Sequence, residues 1–240
     1  GLCDLGFTGA AIPEEYGGLG LGALELCVIA EELGRSAAPV PFSSSIYMAA
    51  EAIKIGGSES LKQAWLPKLA SGEIIGTLAA AEGPAAPTPR NTKTSFANGK
   101  LTGRKLPVPD GETASVAIVL ANTGGTGEQA VSLVVVDLTQ DGVTRSSVET
   151  IDPTRGHAEI SFDNVDASLL GVTGEGWALM KRVEAGAAVL VAFEQVGGTE
   201  AALHMAKDYS LDRYAFGRQI GSYQAINHKL ADMYVKLELA

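Results

Sequence analysis

The sequence predicts an α+β fold: an N-terminal helical segment, a central antiparallel β-domain (barrel or sandwich) and a C-terminal helical bundle. Three observations predict it. Apolar residues recur at helical spacing up to about residue 72, at a period of two over about 74–165, and at helical spacing again from about Gly174. The middle stretch holds several short β-branched runs separated by turn signals, with no helical pattern among them, so crossover helices are not expected there. The expected parts are residues 1–72, 73–172 and 173–240.

Each element follows from its local pattern. After a Pro/Gly-rich loop at 13–22, "ALELCVIAEELGRS" places Leu24, Cys27 and Val28 on one stripe, expected to face a core. A second helix is expected from Ser58, a side chain suited to an N-cap, with Leu61, Trp65 and Leu69 at helical spacing. "SVAIVLA" (115–121) and "AVSLVVVDL" (130–138) read as strands. "HAEISFDNV" alternates, with Ala158, Ile160 and Phe162 on one face and His157, Glu159 and Ser161 on the other. "NTGGTGEQ" and "TQDG" supply turns. One long helix follows, interrupted at most near Gly197-Gly198. A loop, "YAFGRQIGS", then leads to a last helix with Tyr223, Ile226, Leu230, Met233 or Tyr234, and Leu237 on one stripe. Small residues on the long helix (Ala185, Gly186, Ala187, Ala188, Gly197 and Gly198) permit close approach of another chain, and a dimer or tetramer is expected. The last pattern reaches Ala240 without a stop signal and the first begins mid-pattern, so a piece of a longer protein is expected.

Composition narrows the function classes. The 240 residues are 46% hydrophobic and 19% charged, which suits a soluble chain with a real core. No apolar run approaches the roughly 20 residues of a membrane span, and no charged-then-apolar leader opens the sequence. A formal charge of -10 disfavours nucleic acid and anionic membranes as partners. Two cysteines, Cys3 and Cys27, are too few for a disulfide scaffold and fit a reducing cytoplasm. His157, His204 and His228 are scattered, zinc, Walker and Rossmann spacings are missing, and no metal site is expected. "GGLGLG" follows no strand and reads as an ordinary turn.

Three strings resemble the acyl-CoA dehydrogenase family: "IPEEYGGLGLGALELCVIAEELGRSAAPVP", "DPTRGHAEISFDNVDASLLG" and, most specifically, "DRYAFGRQIGSYQAINHKLADMYVKLE". The resemblance implies FAD as cofactor, an acyl-CoA substrate, an electron-transferring flavoprotein or similar acceptor, and a homo- or hetero-oligomer. It also implies that Arg213, Phe216 and Gln224 reach the FAD of a neighbouring subunit. Those side chains suit a dinucleotide, because guanidinium forks onto pyrophosphate oxygens, a phenyl ring offers apolar area, and an amide both donates and accepts. Gly217 is expected to let the loop turn tightly between helices.

The strings that hold flavin on the chain's own β-domain depart from the family pattern. Ala81 stands where the hydroxyl residue falls, and Pro107 and Pro109 stand in the second flavin segment, where a proline has no N–H to offer. The family's catalytic Glu is expected beyond residue 240 or, in some members, at the position of Ala187 next to Ala188, which move no proton. Glu184 and Glu194 share that helix, with a solvated or interface role expected for both, so no catalytic residue is assigned. The alternative to a working dehydrogenase is a non-catalytic family subunit that completes a partner's FAD site.

Overall fold

A computed structural model describes residues 1–152 and 154–240. The chain divides into two compact units, residues 1–23 with 39–188, and residues 24–38 with 189–240.

In the first unit, two short 3₁₀ turns, Phe7–Gly9 and Glu14–Tyr16, fold the Pro/Gly-rich loop back on itself. A β-carbon on Gly18 would lie 2.0 Å from the Ile12 carbonyl oxygen, so only glycine fits that turn. A π-helical stretch, Ser43–Ala50, runs directly into helix α2 (Glu51–Gly56). Helix α3 (Glu59–Ser71) starts at Ser58, whose Oγ accepts the Leu61 amide at 3.4 Å, as the sequence predicts. It buries Leu66, Leu69 and Ala70, with Leu61 and Trp65 partly buried beside them.

The β-domain is an eight-stranded sheet in the order β6-β7-β3-β2-β4-β5-β8, with β1 beside β4. Its strands are β1 (Gly76–Ala79), β2 (Ser95–Ala97), β3 (Lys100–Pro109), β4 (Val116–Asn122), β5 (Val131–Asp137), β6 (Val143–Val148), β7 (His157–Asp166) and β8 (Ser168–Leu170). The ladders are antiparallel except that β1 runs parallel to β4 and β2 meets β4 in parallel at Ser95↔Asn122. The sheet is therefore mixed. The parallel pair needs a long connection, and the β2–β3 hairpin supplies it in place of a crossover helix. Among the described residues, the only helical turn between β1 and β7 is the short 3₁₀ turn Gly127–Ala130.

β4 and β5 are buried on both faces. Val116, Ile118 and Leu120 point into a core shared with Ile53, Leu66, Leu69, Met180 and Val183. Ala117, Val119 and Ala121 point into a second core with Ala158, Ile160 and Phe162, the face of β7 that the alternation predicts.

In the second unit, helix α1 (Ala23–Arg35) buries Leu26, Cys27, Ala30 and Leu33. Leu24 and Val28 are 73% and 60% exposed, so the stripe expected to face a core is wrong for those two positions. The buried set recurs at steps of three and four from Leu26 and Cys27, which rotates the face away from Leu24 and Val28. Helix α4 (Gly176–Asp212) runs unbroken through Gly197-Gly198. Within this unit, a β-carbon on Gly34 would fall 1.8 Å from the Glu194 carbonyl oxygen, and one on Gly197 would fall 1.9 Å from that of Glu31. Gly197 thus serves contact between α1 and α4 of the same chain rather than a partner. Arg35 seals the crossing with pairs to Glu31 (2.9 Å), Glu32 (3.1 Å) and Glu200.

Candidate cofactor site

The motif at 213–224 lies wholly in the second unit. Arg213 continues the α4 ladder through its amide to Tyr209 (2.9 Å), and its carbonyl accepts the Ile220 amide (2.9 Å). Between these bonds the chain forms a two-stranded hairpin, β9 (Tyr214–Ala215) against β10 (Arg218–Gln219), where the sequence reads as a loop between helices. Phe216 and Gly217 make the turn with φ of 52° and 81°. Two consecutive positive φ values give the mirror-image turn whose twist matches a right-handed strand pair, so the segment pairs instead of looping. Gly217 adopts this region at little cost; a phenylalanine does not.

The three predicted cofactor residues are all exposed. Phe216 is 99% exposed, with its ring covered by none of the described residues. Among the described residues, the Arg213 guanidinium has no ion-pair partner. Gln224 opens helix α5 (Gln224–Glu238), which has no side-chain cap at Tyr223. The first amides of such a helix lack intrahelical acceptors and favour an anion. α5 buries no residue: its stripe is half-buried at Ile226, Leu230 and Leu237, with Met233 and Tyr234 more open.

In the first unit, the two degraded flavin strings lie side by side. Ala81 follows β1, and its carbonyl accepts the Leu106 amide at 2.9 Å. The Pro109 carbonyl accepts Thr77 Oγ1 at 2.6 Å. A buried ion pair, not anticipated from the sequence, holds these strings together. Lys105 is fully buried, and its Nζ donates to the Ala80 carbonyl (3.0 Å) and to Glu82 Oε1 (2.8 Å). The Glu82 carboxylate also accepts the Lys93 and Thr94 amides at 2.8 and 2.9 Å. Burial pushes the Lys105 ammonium down to about 8, against the opposing pull of Glu82. Burial works to raise the Glu82 carboxyl, but Lys105 and the two amides hold it below the usual carboxylate range. The signal available in the sequence was a lysine at an inward-facing position of a strand, where an unpaired charge is not tolerated.

Ala187 is buried and Ala188 exposed on α4. Glu184 pairs with Lys181 at 2.8 Å, and Glu194 is half-buried. Among the described residues, no cluster of three or more His, Cys, Asp or Glu has metal-holding geometry.

Two family models match the chain at its two ends. The family model described as "Acyl-CoA dehydrogenase, N-terminal domain" matches residues 1–73, and "Acyl-CoA dehydrogenase, C-terminal domain" matches residues 174–240. Isovaleryl-CoA dehydrogenase, mitochondrial, of Solanum tuberosum is 33% identical over 250 residues, covering 98% of this chain and 60% of that protein. The solved butyryl-CoA dehydrogenase of Megasphaera elsdenii superposes with a TM-score of 0.91 at 27% identity, over 99% of this chain and 66% of its own. The solved steroid ACAD named Tcur3481-Tcur3483 gives a TM-score of 0.83 at 32% identity, over 99% of this chain and 63% of its own. The chain therefore spans roughly three-fifths to two-thirds of the length of these proteins.

Proposed function

We propose, from the premise that this chain belongs to the acyl-CoA dehydrogenase family, that it forms part of an FAD-dependent oxidoreductase for α,β-dehydrogenation of a CoA thioester. One observation carries the reading: Arg213, Phe216 and Gln224 are presented outward on one hairpin and helix start. The donor set fits a dinucleotide. Arg213 offers a two-pronged cation for pyrophosphate, the uncapped start of α5 offers amides and the Gln224 side chain, and Phe216 offers an apolar face.

When bound, FAD supplies the hydride acceptor for the β-hydrogen. This chain's part is to bind and orient. Ala81, Pro107 and Pro109 bring no side-chain donor, and the nearby Leu106 amide is already taken by Ala81. The hairpin therefore serves FAD held mainly by a neighbouring subunit. No base for the α-proton is assigned among these residues, since Ala187 and Ala188, at the alternative position, have no side chain that can take a proton. An electron-transferring flavoprotein or similar acceptor would reoxidise the complex. Two free cysteines, one exposed and one buried, suit a reducing compartment.

The same observations favour a second reading: a non-catalytic subunit of a hetero-oligomer, with an intact hairpin and degraded flavin strings. The deciding experiment is the flavin spectrum and FAD-to-chain stoichiometry of the purified full-length protein. A full equivalent of tightly held FAD on this chain alone supports the working dehydrogenase. FAD retained only with a different partner chain supports the second reading. No FAD in either state sinks both.

A further inference from the structure

We propose that Tyr223 and Arg218 are positioning residues that hold Phe216 and Arg213 ready for the dinucleotide; the inference rests on the cofactor role argued above. Phe216 combines a left-handed backbone (φ 52°) with a ring that is 99% exposed. Neither feature stabilises this chain by itself, and such a conformation persists only where its surroundings over-determine it. The same turn recurs between β2 and β3 with φ of 52° and 76°, but there the residues are Asn98 and Gly99, the pair that adopts it most readily. At 216 a bulky ring stands where the turn prefers Asn, Asp or Gly.

The hairpin's own ladder is too short to impose that conformation. It has two residue pairs, Ala215↔Arg218 and Tyr214↔Gln219, and an isolated hairpin is marginal even when longer. Beyond the Ile220 amide's bond to the Arg213 carbonyl (2.9 Å), a further constraint comes from Tyr223. Its hydroxyl donates to the Ala215 carbonyl at 2.8 Å, immediately before Phe216. Its ring lies 3.9 Å from the Arg218 guanidinium carbon, immediately after Gly217. One side chain therefore grips the turn on both flanks. Tyr223 is also the residue immediately before α5, so the grip ties the turn to the position of Gln224. Behind it, Gly221 packs on Ser210, where a β-carbon would stand 2.9 Å from Ser210 Oγ. Arg213, Phe216 and Gln224 are thereby linked through one side chain at the join of hairpin and helix.

The test is FAD titration of the full-length assembly carrying Tyr223→Phe, Arg218→Lys, Arg218→Ala, Phe216→Ala, Arg213→Ala, and Tyr223→Phe with Phe216→Ala. Tyr223→Phe keeps the ring and loses only the hydroxyl. It should weaken FAD roughly threefold to tenfold, the effect of one neutral hydrogen bond. Sedimentation and the thermal midpoint of the FAD-free protein should stay unchanged, while amide exchange at 214–219 should quicken. Arg218→Ala should weaken FAD similarly, and Arg218→Lys should restore most of it by keeping a cation over the ring. In the Phe216→Ala background the Tyr223→Phe loss should shrink to within about twofold, because the grip then presents little. If Phe216→Ala and Arg213→Ala both leave FAD affinity unchanged, the underlying cofactor reading fails. If those two weaken FAD while Tyr223→Phe matches the wild type, or loses the same factor in both backgrounds, the positioning role is overturned and the cofactor reading survives.

Discussion

At the scale of single residues, two charged side chains have opposite situations. Arg213 is exposed and, among the described residues, has no ion-pair partner; Lys105 is sealed and held by Glu82 and the Ala80 carbonyl. Arg213→Ala should weaken FAD retention by roughly 1.5–3 kcal/mol, the range for a charged hydrogen bond. Lys at that position should recover only part, since an ammonium cannot make the two-pronged contact. Ala81→Thr should change little, because Pro107 and Pro109 remain; all three variants are read by FAD titration. For Lys105 the readout is stability. Lys105→Met strands the Glu82 carboxylate and should cost about 3–5 kcal/mol in urea unfolding, with Glu82→Gln added on top recovering part of it. The pH sign is set by the proton count. Lys105 loses its proton near 8 in the folded chain and near 10.5 when unfolded. Between those values the unfolded chain holds more protons, so this group's contribution makes stability rise with pH. The difference in stability between wild type and Lys105→Met should therefore widen as the pH is raised from 7.5 to 9. A difference that narrows would contradict the assignment.

At the scale of elements, Gly34 on α1 and Gly186 on α4 are two kinds of helical glycine. Gly34→Ala pushes a β-carbon into the Glu194 carbonyl, a backbone atom that moves only with its helix. It should cost about 1–3 kcal/mol or more in thermal or urea unfolding. Gly186 has open space around it, and Gly186→Ala should stabilise the folded chain by about 0.5–1 kcal/mol through helix propensity. A large loss at Gly186 would mean that it faces something outside this chain. The contrast also shows what was legible in the sequence. Periods of two and of 3.6 located the strands and the long helices, and the alternation in β7 placed Ala158, Ile160 and Phe162 inward. Periodicity cannot report which helix a glycine touches, so Gly197 reads equally well as an interface or an internal crossing. It also cannot set the direction of β1, which depends on a partner many residues away. The hairpin at 214–219 was hidden for a third reason: Phe-Gly is not a pair the mirror-image turn favours, so local chemistry pointed to a loop. Arg213, Phe216 and Gln224 are singled out by motif resemblance alone, whereas the Glu82–Lys105 pair depends on register across the sheet.

At the scale of the whole molecule, large apolar side chains remain open. They include Leu24 and Val28 on α1, Met205 and Tyr209 on α4, and Tyr234 and Val235 on α5. Burying them requires further chain or further subunits, and the first outcome expected is a dimer or tetramer of the full-length protein in sedimentation at micromolar concentration. A stable monomer would count against the proposed assembly and against a hairpin that serves a neighbour's FAD. The cofactor ratio then distinguishes homo- from hetero-assembly. In a homo-oligomer every hairpin completes a site whose remaining contacts come from strings like Ala81, Pro107 and Pro109, which bring no side-chain donor. Such an assembly should hold FAD weakly and lose it on gel filtration. In a hetero-oligomer the hairpin completes a site built on the partner's strings, so FAD should be retained on co-purification and Arg213→Ala in this chain should release it. The two cases give opposite results in one measurement: flavin absorbance per chain after desalting, with and without the partner. Full, tight FAD occupancy on this chain alone would show that backbone contacts suffice where the side-chain donors are missing, and the hetero-oligomer reading would fall.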